Sequence, residues 1–414
     1  MGGSYFRNIG EMSIKNKIGV SLFILPFLFT SLNLQGYISL FISSNVGKIF
    51  AYSVLASIIA GVFVFLKDYR RVGYTSIIKS WMFYYFIYYT IATYSSGSLG
   101  SSYSLIKTLI PVIYFFGFAV LLSIEEYRKL MLWVTTFAFF IACVFSIYFN
   151  FINFSLDFEG VAEYRVERAA GIYGDANNTA LVSILSFAFM YYVFDPINKI
   201  QKGIKVIALL IITYSLIITY SNTGFLSFLI VLVIIYRKFF TIGKIIVLTP
   251  IMAVLGYLGY NYLISSDILT YGQLEKVTNI VNILTFSTEE VNFSGRDERL
   301  SNLFNVIEKE PFFGNGLDYG ITVVHSHNTY FNIWADAGIL PFIIFLIIIF
   351  SYYFKIFKYN TTYRFLGLTI LIPISIFMMT LQTIINQAYL IVTFVLVAYL
   401  VEGNYNENNI IRKN

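Results

Sequence analysis

The chain has 414 residues, of which 58% are hydrophobic and only 12% charged, with a formal net charge of +6. Soluble domains carry roughly 25% charged residues, so the composition excludes an ordinary soluble enzyme, and a nucleic-acid partner is not expected. Apolar runs of about 20 residues recur from end to end, each long enough to cross a hydrocarbon core as a helix, and open β structure cannot satisfy its backbone in lipid.

The fold expected is an all-α polytopic membrane protein, with residues 1–414 forming a single membrane domain. The basic start (Arg7, Lys15, Lys17) leads into a long apolar segment without a small-residue cleavage site, so the first span is expected to stay in the membrane. About twelve spans are predicted, near 18–34, 46–66, 74–94, 105–123, 130–151, 176–194, 204–220, 223–236, 244–264, 338–356, 363–381 and 386–401. The single cysteine, Cys143, lies within one of them, so an intramolecular disulfide is impossible. With both termini cytoplasmic, the inside connectors KDYRR (67–71), EEYRK (125–129), 195–205, 236–244 and 355–364, together with the termini, hold 19 of the 28 Lys and Arg. The short outside loops 95–104 and 221–223 hold none, as the positive-inside rule requires.

Two extracytoplasmic connectors are long: 152–175 and 265–337. Long loops in compact proteins are usually functional or disordered, and the second has helical patterning. In SGRDERLSNLFNVIEKEP, Leu300, Leu303, Phe304 and Ile307 recur at helical spacing before Pro311, which predicts an amphipathic helix. Ser294 and Asp297 have the spacing of a capping box at its start.

P-loop, G-x-G-x-x-G, H-E-x-x-H, C-x-x-C and G-x-S-x-G motifs are absent, so nucleotide-driven, nicotinamide, zinc-protease and serine-hydrolase chemistries lose their usual signatures. Acidic residues are almost missing from the expected spans, which disfavours a proton-coupled carrier. Lys79 and Lys107, near span ends, are expected to snorkel. Ionisable residues gather instead in the two long loops: Arg165, Arg168 and Asp175 in the first, Arg296, Arg299, His325 and His327 in the second. Arginine's planar fork suits phosphate oxygens, and Arg296 beside a helix start adds backbone N–H groups and dipole. Alternatively, these arginines pair with Glu163, Glu167, Asp297 and Glu298 on a solvated face.

His325 and His327 are the only histidines. Two apart, they share a face on a strand and diverge on a helix. A metal site would need a third ligand such as Asp318 or Asp336, at a spacing that matches no standard pattern. A general base fits better, because imidazole titrates near pH 6.5. A surface pair without a role is the remaining reading.

The ordered set SGRDERL (294–300), EPFFGNG (310–316), His327-Asn328 and Asp336-Ala337-Gly338 opening an apolar run resembles the O-antigen ligase and polymerase superfamily (WaaL/Wzy type). RAAGIYGDANNTA (168–180) resembles that family's upstream arginine-glycine segment. Many ligases in the family carry Ser-Arg where this chain has Ser221-Asn222-Thr223, a departure that leans toward polymerase.

The resemblance implies a metal- and cofactor-independent, inverting glycosyltransferase. It would polymerise polyprenyl-pyrophosphate-linked oligosaccharide repeats at the outer face of the bacterial cytoplasmic membrane. His327 would be the base, and His325 would orient it, contact the pyrophosphate or share the base role. Arg296, Arg299, Arg168 and Arg165 would face the pyrophosphate, Asn328 would cap the following helix or bind sugar, and Asn222 would contact the substrate. Implied partners are the lipid-linked glycan, membrane lipid and a chain-length regulator protein. The rivals are a ligase passing glycan to lipid A or protein, and a lipid-glycan flippase or other transporter.

Overall fold

The computed structural model describes residues 12–72, 74–96, 102–156, 162–163, 168–239, 244, 254, 256–262, 264–265, 269–285, 287, 296–359 and 362–411. In chain order the helices are α1 (Ile14–Ser31), α2 (Leu34–Phe41), α3 (Ser44–Val72), α4 (Ser76–Ser95), α5 (Ser102–Leu122), α6 (Glu125–Phe151), α7 (Ala176–Val193) and α8 (Lys199–Ile217). There follow α9 (Asn222–Ile235), α10 (Tyr271–Leu284), α11 (Arg296–Lys309), α12 (Thr329–Ala337), α13 (Ile339–Lys358), α14 (Arg364–Phe377) and α15 (Ala388–Ile411). The strands described are β1 (Ser155–Leu156) and β2 (Ala162–Glu163), an antiparallel two-residue ladder.

Every expected span coincides with a helix except 244–264, most of which lies outside the described residues. Among the described residues, five segments are long and apolar enough to cross a membrane: Ile14–Ser31, Ser44–Lys67, Glu125–Phe151, Lys199–Ile217 and Ile339–Lys358. Shorter apolar helices stand at Leu109–Leu122, Asn222–Ile235, Arg364–Phe377 and Ala388–Glu402. The chain is a helical integral membrane protein. Helices α4 and α7 are also 20 and 18 residues long, but tyrosines in one and Asn177-Asn178 in the other make them less apolar. Helix α7 is enclosed by protein on nearly all of its surface and so needs little apolar surface toward lipid, whereas α4 buries one face, with Trp81, Tyr84, Tyr85 and Tyr88, and exposes Phe83 and Phe86 on the other.

Two connectors read as loops are helical. KDYRR (67–71) continues α3 to Val72, and EEYRK (125–129) is the first turn of α6. At 1.5 Å per residue α3 is about 43 Å long, more than the roughly 30 Å hydrocarbon core. A helix can therefore run past the lipid with its basic residues in water. Glu125 and Glu126 open α6, where the helix dipole favours carboxylates.

The core lies around α7 and α15. Residues 388–402 of α15 are buried on every face, and so is nearly all of α7, the pattern of helices enclosed by others. Side chains such as Phe63 on α3 (73% exposed) and Phe350 on α13 (68%) form the outer, lipid-suited surface. Trp81 joins four helices. Its indole N–H donates to Tyr352 Oη at 3.0 Å, that hydroxyl donates to the Phe394 carbonyl at 2.9 Å, and its ring meets Tyr85, Phe115, Phe345 and Phe394.

Candidate active site

The stretches 311–316 and 335–338, widely spaced in the sequence, form one joint. Asn315 N–H donates to the Ala335 carbonyl (2.8 Å), Gly316 N–H to the Asp336 carbonyl (3.0 Å) and Ile339 N–H to the Pro311 carbonyl (3.0 Å). Gly338 has φ +80°, and a Cβ there would stand 1.9 Å from the Phe312 carbonyl oxygen. Gly314 has φ +71°, with Ala337 N only 2.5 Å from its missing Cβ. Only glycine tolerates both the left-handed backbone and this contact.

Between the two halves of the joint the chain forms a π-helical turn, Gly320–Val324, that ends at His325. Asp336 holds that turn. Its Oδ1 accepts from Gly320 N–H at 2.8 Å and its Oδ2 from Tyr88 Oη at 2.9 Å. Asp336 lies in α12, before the membrane-suited helix α13, and its carboxyl is pushed up to about 7. Burial is the leading cause, and the two hydrogen bonds pull the other way.

His325 and His327 are on neither a strand nor a helix. Both have φ +51°, with Ser326 between them. Ser326 is buried, and its Oγ accepts from Asn328 N–H at 3.2 Å and donates to Asn332 Oδ1. Pinning Ser326 inward leaves His325 exposed and His327 half-buried. Left-handed conformations at non-glycine residues are uncommon and cluster at functional sites. Asn328 caps α12, accepting from Phe331 N–H at 3.1 Å, so of the two roles read for it the capping one is seen. The turn after α14 supports this loop: His327 N–H donates to Gln382 Oε1 (3.3 Å), Thr329 N–H to the Met378 carbonyl (2.7 Å) and Thr329 Oγ1 to the Leu381 carbonyl (2.6 Å).

Helix α11 packs on α12 as its apolar spacing predicts. Leu303 and Ile307 are buried against Ala335, with Leu300, Val324, Phe331 and Trp334 around them. Phe304 meets Phe331 (4.9 Å between centroids), while Trp334 Nε1 donates to the Pro311 carbonyl at 2.9 Å. Phe304 faces Phe331 while Pro311, just past α11, faces Trp334, so the two helices run in the same direction, which places the Arg296–Arg299 end of α11 toward the histidine end of α12. Arg299 is exposed. The side chain of Arg296, and Ser294 and Asp297 of the expected capping box, lie outside the described side chains, as does Arg165.

Arg168 is placed by a different contact. Its Nε donates to the Thr219 carbonyl at 3.0 Å, and Ala169 N–H donates to the Ile218 carbonyl at 3.0 Å. This sets Arg168 against the α8–α9 turn that carries Asn222. Ser221 caps α9 through Gly224 N–H (3.1 Å) and donates to Asn177 Oδ1 (2.8 Å). Asn222 Oδ1 is buried with no hydrogen-bond partner among the described residues. From there polar contacts continue toward the histidine loop, because Gln387 Nε2 donates to both Asn178 Oδ1 (3.0 Å) and Thr383 Oγ1 (2.9 Å). Arg168, Asn222, His325, His327 and Asn328 thus gather at one end of the bundle, although up to 160 residues separate them.

A family model described as O-antigen ligase (Wzy_C) matches residues 207–346. The chain carries an O-antigen ligase family domain. That domain runs from α8 into α13 and contains Asn222, both α11 arginines, the histidine pair and the glycine joint; Arg165 and Arg168 precede it. Function of the O-antigen ligase or polymerase type, on a lipid-linked glycan, follows at that level of detail. No curated protein matches the chain.

The sequence reading missed Gln382, Tyr88 and Ser326, and gave Asp336 a candidate metal role and a place in the family motif but no part in holding the histidine loop. Among the described residues no group of three His, Cys, Asp or Glu is placed to hold a metal. Gln382, Asn386 and Gln387, a polar run between two apolar spans, were the available signal.

Proposed function

We propose that the protein polymerises polyprenyl-pyrophosphate-linked oligosaccharide repeats at the outer face of the bacterial inner membrane. The observation carrying this reading is the histidine loop, strained at both imidazole-bearing residues and bonded to Gln382, toward which the arginine-led end of α11 is directed. His327 accepts the proton of an acceptor sugar hydroxyl. That oxygen attacks the anomeric carbon of the donor, the bond from carbon to pyrophosphate oxygen breaks, and polyprenyl pyrophosphate leaves with inversion. Arg168, Arg296 and Arg299, with Arg165, neutralise the charge developing on the leaving group. His325 orients its neighbour or contacts the pyrophosphate, and Asn222 offers its amide to the glycan.

A second reading, transfer of the finished glycan to lipid A or protein, is favoured by the description of the matching family as a ligase. The purified chain supplied with lipid-linked repeat units separates the two: a ladder on a gel means polymerase, while product only on adding lipid A means ligase. His327→Ala should lower extension by roughly 10²- to 10⁴-fold, the usual contribution of a general base. Full-length ladders from both His327→Ala and Arg296→Ala would sink the mechanism.

A further inference from the structure

Helices α9, α13 and α14 each have one end beside the histidine loop or the Arg168 turn. Asn222 opens α9, α13 follows the glycine joint, and the Met378 carbonyl just past α14 accepts from Thr329 N–H. Their far ends carry Arg237, Lys358 and Arg364, a distance of about 30 Å for a helix such as α13. Aromatic rings gather these cations. The Arg237 guanidinium stands 3.2 Å from the centre of the Phe365 ring, and Arg364 lies against the same ring (5.7 Å) and that of Phe357 (5.3 Å). Lys358 Nζ is 5.7 Å from the Phe354 ring and 5.5 Å from that of Tyr359.

A ring face attracts a cation without neutralising it, so two guanidiniums on one ring still repel each other. Among the described residues none of Arg237, Lys238, Lys358 and Arg364 pairs with a carboxylate. The flanking sequence offers none either, because residues 196–266 and 337–401 hold nine Lys and Arg and no Asp or Glu. Glu402, buried at this end, is taken by Lys355 and by the start of α4. Arg364 Nε is buried with no hydrogen-bond partner among the described residues, and a buried donor calls for an acceptor.

Two observations define the partner that suits this patch. The planar guanidinium forks match phosphate oxygens. Exposed Phe350, Phe354 and Phe357 stand four and three residues apart on α13, a single stripe running back from the patch toward the histidine end. A soluble phosphate or an acidic peptide would use the cations and leave the stripe. An anionic phospholipid uses both, its phosphate among the arginines and an acyl chain along the phenylalanines. A polyprenyl phosphate has similar chemistry, but the glycosyl-transfer reading puts that lipid at the histidine end.

We propose that Arg237, Arg364 and Lys358 form a headgroup site for an anionic phospholipid in the leaflet opposite the histidine loop. The site stands whether the chain polymerises glycans or ligates them. A lipid bound there bridges the far ends of α9, α13 and α14 and stabilises the folded chain by mass action.

The test uses the full chain, delipidated in detergent, with bound lipid measured by native mass spectrometry. The probes are dioleoyl phosphatidylglycerol, dioleoyl phosphatidylcholine, geranylgeranyl phosphate and glycerol 1-phosphate. Phosphatidylglycerol should bind most tightly and raise the thermal midpoint. With each cation near a membrane surface worth about fivefold, Arg237→Gln and Arg364→Gln should each weaken that binding by this factor and the double variant by about thirtyfold. Lys199→Gln/Lys202→Gln removes two cations at the same end of the bundle but outside the patch, and should leave binding unchanged. The proposal is overturned if phosphatidylcholine binds as tightly, if the folded arginine double variant keeps the preference, or if the lysine pair matters as much as the arginine pair. Should the double variant not fold, the two single variants decide by the same criterion. Tighter binding of geranylgeranyl phosphate would overturn the proposal in favour of a polyprenyl site, and equal binding of glycerol 1-phosphate in favour of a soluble phosphate ligand.

Discussion

His327 and Asp336 share one small structure, in which the acid holds the turn that delivers the histidines. With its folded value near 7, above the usual carboxylate value of about 3.9, Asp336 keeps in the folded state a proton that the unfolded chain releases. Its contribution to stability is therefore present at low pH and is lost as pH rises through 7. The thermal midpoint in detergent should rise for the parent between pH 8 and pH 6, and by clearly less for Asp336→Asn; equal rises would contradict the assignment. Arg168 allows a second test at this scale. Its guanidinium is bonded to the Thr219 carbonyl on the turn that leads to Asn222, so we expect it to supply the charge that the family's ligases were read to carry on that turn. Arg168→Ala should cut ladder formation tenfold or more, and Asn222→Arg in that background should restore part of it. An unchanged double variant would show that the two positions serve different groups.

At the level of elements, the apolar periodicity of 300–307 was enough to predict α11; of the four residues on its expected apolar face Leu303 and Ile307 are buried, Leu300 is half-buried and Phe304 is exposed, packed edge-on against Phe331. The conformation of the histidine loop was not legible, because two non-glycine residues at positive φ are imposed by distant partners, Gln382 and Asn332, rather than by local propensity. The joint between 311–316 and 335–338 explains why glycines stand where the family pattern has them. Gly338→Ala should destabilise by about 1–3 kcal/mol from backbone strain alone, and by more once the Phe312 carbonyl must move. Gly203→Ala on α8, where a Cβ would meet nothing within 4 Å, should instead stabilise by about 0.5–1 kcal/mol. Chemical denaturation of the two variants checks the contrast.

Over the whole molecule, the helices are tied at the end opposite the histidines by one buried carboxylate. Glu402 of α15 accepts from Ser76 N–H (3.0 Å) and Ile77 N–H (3.2 Å) at the start of α4, and pairs with Lys355 of α13 at 2.9 Å. Removing one partner of a buried pair costs about 3–5 kcal/mol. Glu402→Ala should therefore lower the midpoint more than the double variant Glu402→Gln/Lys355→Met, which leaves no uncompensated charge. The reverse order would mean that the pair is solvated.

The sequence by itself determined the class, the positions of the long apolar helices and of α11, and the residue types offered for chemistry, because hydrophobic length and periodicity are local properties of the chain; α2, α10 and α12 were not among the helices it placed. It also carried enough ordered motif to match an O-antigen ligase family over 207–346. Only the tertiary structure decided which of those residues meet. It anchored Arg168 to the α8–α9 turn, aimed α11 at the histidine loop and buried Asp336 under that loop. Each of these depends on backbone groups of segments far apart in sequence, whose hydrogen bonds form only when the bundle closes and excludes water from them.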